Sequence, residues 1–178
     1  MRLHLHRRRR RVPAAALTLA TLLVGTGFPL LTTGCDAAAP AAATADDTID
    51  IRVAGEPFHV ELALDEASRF QGLSDRARVD PHGGMLFVFP DVRKRNFVMR
   101  RCLVPIDIAY LDPSGRVVET HAMQVEPEGT PEDQLARYPS RYPAQFALEL
   151  AGGTIARIGL SDGDAIGMDL EALKSRAE

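Results

Sequence analysis

The chain has 178 residues, 21 basic and 24 acidic, with two cysteines and no tryptophan. Its first 35 residues hold six arginines and no acid, which leaves 15 basic against 24 acidic residues after them, a net −9. So acidic a remainder lacks the basic stripe that neutralises phosphates, which excludes a general nucleic-acid binder. It contains no glycine-rich phosphate cradle, and neither His59 nor His82 stands at zinc-ligand spacing from a cysteine.

Arg2 and Arg7 to Arg11 precede an apolar stretch at residues 14–24, the n-region and h-region of a secretory signal peptide. Leu30-Leu31-Thr32-Thr33-Gly34-Cys35 resembles a bacterial lipobox, although Thr32 stands where a leucine is usual. Lipidation at Cys35 is the leading expectation. Two alternatives remain: cleavage after Ala43-Thr44-Ala45, releasing a soluble protein, and retention of residues 12–31 as a membrane span. The arginines favour an inside N-terminus, so the domain is expected outside the cytoplasm in every case, facing the periplasm or exterior. Asp36 resembles an inner-membrane retention signal. The organisation expected is a signal peptide and lipobox at 1–35, a flexible linker at 36–48 rich in alanine, proline and threonine, and one domain at 49–178. With Cys35 lipidated, Cys102 is the remaining thiol, no intramolecular disulfide is possible, and Cys102 reads as a small buried hydrophobe.

Along the domain, residues 49–53 and 58–64 read as two strands joined at Ala54-Gly55-Glu56-Pro57. Asp65 caps a short helix running to Gln71, with Gly72 as its stop. Residues 85–89 form a buried strand, and a second strand-like run at 96–112 follows a polar loop. Residues 106–111 and 116–123 flank the turn Asp112-Pro113-Ser114-Gly115. Residues 125–142, with Pro127, Pro131 and Pro139 and no apolar period, form a long loop. A strand at 146–150, a turn at Gly152-Gly153, a helical turn at 154–160, a closing strand at 165–168 and a terminal helix at 170–176 complete the chain. Many short strands with turn signals predict an all-β, mainly antiparallel sandwich or barrel.

From Phe58 to about Met168 several motifs stand in order: Gln71-Gly72-Leu73 with Arg76, Gly84-Met85-Leu86-Phe87, Phe97 with Met99, Pro105 with Asp107-Ile108, the 112–115 turn, and Leu148-Glu149-Leu150 before Gly152. In these the chain resembles the bacterial and archaeal family of domain of unknown function 192. The resemblance implies a compact β-sandwich of jelly-roll type with one or two short helices, and no established activity. Family members often carry methionine at the position of Ser74, tryptophan at Val98 and asparagine-threonine at Arg101-Cys102, so this chain's pocket is expected to be a variant.

Asp107 sits between isoleucines, where an ionised carboxylate needs a partner. Strand alternation places it with Ala109 and Leu111, and the expected partner is Arg76 or Arg101 in a bidentate fork. That pair is either a structural pin or the orienting part of a ligand site to which Met99 and Glu149 also belong. A hydrolase using Asp107 and Glu149 is the alternative, provided the two acids face one cleft. His121 and Met123 share a strand face and offer a weak soft-metal pair; no cofactor is otherwise expected. Arg93-Lys94-Arg95 reads as a solvated loop or a landing site for an anionic glycan, lipid head group or acidic partner. The leading expectation is a membrane-anchored binding module of the cell envelope for a small molecule, a glycan or an envelope protein.

Overall fold

The computed structural model describes residues 47–178. The expected signal peptide, Cys35 and the expected linker up to residue 46 lie outside the described residues. The strands are β1 (Thr48–Val53), β2 (Glu56–Ala63), β3 (Gly84–Arg93), β4 (Asn96–Phe97), β5 (Ile106–Leu111), β6 (Val117–Met123), β7 (Tyr138–Pro139) and β8 (Ala144–Ala151). The helices are α1 (Glu66–Gln71), α2 (Thr154–Ile158) and α3 (Leu170–Lys174), with a 3-10 turn at Glu132–Gln134.

Local chemistry explains the first elements. β1 and β2 form an antiparallel hairpin whose turn residues Ala54 and Gly55 both have positive φ (49° and 85°), the geometry that matches strand twist. Asp65 accepts a hydrogen bond from the Ser68 N–H at 2.8 Å while its own N–H donates to the Ser68 hydroxyl at 3.2 Å, a reciprocal cap on α1. Gly72 ends the helix at φ 49° and ψ −137°. A Cβ there would lie 3.3 Å from the Phe87 ring and 3.8 Å from Glu149 Oε2.

Six strands pair in the order β1-β2-β3-β8-β5-β6, and β4 pairs with β7 as a separate ribbon. All pairs are antiparallel except β2 with β3, whose parallel register is made possible by the α1 crossover. The all-β expectation with a few short helices is met. The pairing does not show a closed barrel or a jelly roll of two full sheets: β1 and β6 are edges, bridged by the isolated pairs Arg52–Gly167 and Arg116–Ala165. The expected strand at 165–168 is reduced to those bridges. The strand-like run at 96–112 is also broken, because residues 98–105 turn away from the sheet, with Arg101 at φ 48°.

Alternation along the strands puts a core on each side of the main sheet. Phe58, Val60, Leu86, Val88, Ala109, Leu111, Phe146 and Leu148 fill one face, closed by Leu160, Ile166 and Leu173. Met85, Phe87, Ile106, Ile108, Tyr110 and Ala147 line the other, covered by Leu73, Met99 and the β4–β7 ribbon. The second face carries the candidate site.

Candidate functional site

β8 is buried along nearly all its length, and its register decides where Glu149 points. Glu149 stands opposite Met85 on β3 and Ile108 on β5, so it faces the second core. Asp107 stands opposite Leu150 and Ala122, with Ala109 and Leu111 on its own face as alternation predicts. Asp107 and Glu149 therefore project from opposite sides of one sheet. They do not share a cleft, and the two-carboxylate hydrolase geometry is not formed.

The arginine partner expected for Asp107 is not there either. Asp107 is 3% exposed, and its Oδ2 accepts the N–H of Ile155 at 2.8 Å, in the first turn of α2. It anchors that helix to the sheet beside a hollow of about 390 Å³. Arg76 instead forks onto both oxygens of Glu61, one contact at 2.7 Å, because Glu61 on β2 and Glu149 on β8 flank Met85 in one row across the sheet. Arg101 grips Asp75 through three hydrogen bonds of 2.8 to 3.1 Å at the surface. Met99 is core filler, 1% exposed. The metal alternative fares no better: His121 Nε2 lies 2.9 Å from the Pro139 carbonyl, and Met123 is wholly buried.

Glu149 meets a different cavity and, unlike Asp107, does so without a hydrogen-bond partner among the described residues. It is 5% exposed and borders a hollow of about 370 Å³, whose walls include Gly72, Leu73, Ser74, Phe87, Phe97 and Cys102. The carboxyl makes no hydrogen bond to any of the described residues. Since no fully enclosed side-chain oxygen among them lacks a partner, the Glu149 oxygens open onto this cavity. Burial pushes its pKa up to about 8, against the opposing pull of Arg76. Gly72 lets the chain pass close over it. Phe97 meets Phe87 edge to face at 4.9 Å and Tyr110 at 5.7 Å, which fixes the aromatic wall.

Cys102 is half-buried rather than the fully buried small hydrophobe expected, and lines the same cavity. Burial, then Glu149 and Asp75, push its thiol up to about 12, so it is no ready nucleophile. Arg93, Lys94, Arg95 and Arg100 line the same cavity. The basic run is not uniformly solvated, in contrast to expectation. Arg95 is 6% exposed, stacks 3.8 Å above Phe89, and donates to Asp91 Oδ1 (2.8 Å) and the Ala144 carbonyl (3.2 Å). Arg100 forks onto Glu132 of the long loop and lies over Phe70. The sequence pointed to Glu149 and the basic run separately; it did not bring Gly72, Ser74, Phe87 and Cys102 to one cavity, although Gly72, Phe87 and Phe97 all lie in the shared motifs.

No curated protein matches the chain. Two solved structures are similar over most of it. A Sinorhizobium meliloti 1021 protein, provisionally described as a transcription regulator, is 31% identical, with 66% of this chain and 88% of that one covered at a TM-score of 0.58. A protein of unknown function from Novosphingobium aromaticivorans DSM 12444 is 28% identical over 74% of this chain and 94% of that one, at a TM-score of 0.61. The model of the DUF192 family, described as an uncharacterized ACR, matches residues 49–168, and the chain belongs to that family.

Proposed function

We propose that this protein is a small-molecule-binding module of the cell envelope, exported and held at a membrane through lipid on Cys35, with the cavity around Glu149 as its site. One observation carries the binding reading: a carboxyl 95% buried, without a protein donor, opens onto a concave space walled by aromatic and small residues. A buried polar group left unpaired is costly, and a ligand that pairs with it recovers that cost. The cavity volume lies near the lower end of small-molecule sites, roughly 300 to 1,000 Å³. The export reading rests on the arginine-rich leader, its apolar core and Cys35. The regulator description of the S. meliloti protein is not carried over, because a domain at net −6 lacks a phosphate-binding stripe.

The test is a thermal-shift screen of the purified protein against sugars, organic acids, amines and amino acids. A ligand of the folded state raises the melting temperature by mass action, and the shift is expected to shrink in a Glu149→Leu variant that remains folded. Shifts that are identical in wild type and Glu149→Leu would remove this cavity as the site.

A further inference from the structure

The charges around the cavity narrow the ligand class. Five basic residues border it: Arg69, Arg93, Lys94, Arg95 and Arg100. Asp91 serves both Arg93 and Arg95, Glu132 serves Arg100, and Arg69 donates to the Leu64 and Val88 carbonyls. Lys94 is exposed and has neither a hydrogen bond nor an ion pair among the described residues. The exposed part of the lining, with Arg93 and Lys94, is therefore net positive, and the buried part holds a lone carboxyl, Glu149, near Gly72 and Phe87.

Resting on the binding reading above, we propose that the cavity takes a small organic anion whose charged end lies at the basic mouth beside Lys94 and whose body brings a neutral hydrogen-bond acceptor to the Glu149 carboxyl. A carboxyl in apolar surroundings favours its neutral form, which has an O–H to donate and no donor from the protein to satisfy it. A net-positive mouth attracts an anion and disfavours an amine. Of the groups facing Glu149, Arg76 opposes a proton on it, although its fork is taken up by Glu61, and burial outweighs that pull. Cys102 and Tyr110 are raised in pKa and neutral, and the cross-strand neighbours Met85 and Ile108 are apolar.

The experiment compares isosteric probes on the whole protein by calorimetry: 4-acetylbenzoate, 4-acetylbenzamide and 4-acetylbenzylamine, with 5-oxohexanoate and its amide and amine counterparts. The acids are expected to bind best, with affinity level below pH 7 and falling above about pH 8 as Glu149 loses its proton. Glu149→Gln keeps a donor, so it is expected to retain the acid and flatten the pH profile, while Glu149→Leu weakens it about tenfold. Lys94→Glu is expected to weaken the acid several-fold, most at low ionic strength. Tighter binding of the amines, rising through pH 8 and abolished by Glu149→Gln, would overturn the anion assignment and leave the binding site standing. Failure of all six probes, together with no thermal shift in the wider screen, would overturn both.

Discussion

A carboxyl held between Met85, Ile108 and Phe87 titrates far from its usual range, and the direction has a consequence for stability. The folded pKa of Glu149 is about 8 against an ordinary 4.5. Between those values the folded state keeps a proton that the unfolded chain has released. Its contribution is therefore fully present below about pH 4.5, and declines with rising pH until it levels off above about pH 8. The slope reaches at most about 1.4 kcal/mol per pH unit. Urea unfolding at pH 5, 6.5 and 8 is expected to show this decline in the wild type and not in Glu149→Gln, which becomes the more stable of the two at pH 8. Parallel pH profiles for the two proteins would mean that Glu149 ionises normally.

At the level of elements, Asp107 acts as a clamp between β5 and α2, an element of five residues that packs lightly and cannot stand alone. Asp107→Ala removes the acceptor of the Ile155 N–H and is expected to cost about 1 to 3 kcal/mol in denaturant unfolding. Asp107→Asn keeps an acceptor oxygen and is expected to cost less; equal losses would mean that charge, not the hydrogen bond, matters. Local signals placed most elements well. The Asp65 cap, the Gly72 stop, the hairpin at 54–57 and the 112–115 turn depend on residues within a few positions of one another. Pairing between distant strands was not legible in this way. The parallel match of β2 with β3 puts Glu61 in the row beside Met85, where it takes Arg76. The register of β8 on β5 sets Ile108, not Asp107, opposite Glu149, and a one-residue offset sends the two acids to opposite faces. Periodicity gave each residue's face within its own strand, and no more.

For the whole molecule, the open question is how an acidic domain is kept where its ligand is. The described residues contain no helix long and apolar enough to cross a membrane. The anchor proposed above lies instead in the segment before residue 47, at Cys35. A single acyl chain gives marginal binding, so the proposed anchoring of a domain at net −6, which gains nothing from anionic lipid, would require more than one chain on that residue. Labelled palmitate fed to cells is expected to enter the wild-type protein and not Cys35→Ser, with the variant leaving the membrane fraction. Unlabelled wild type in the soluble fraction would instead place cleavage after Ala45. Cys35→Ser retained in the membrane would point to residues 12–31 as an uncleaved span.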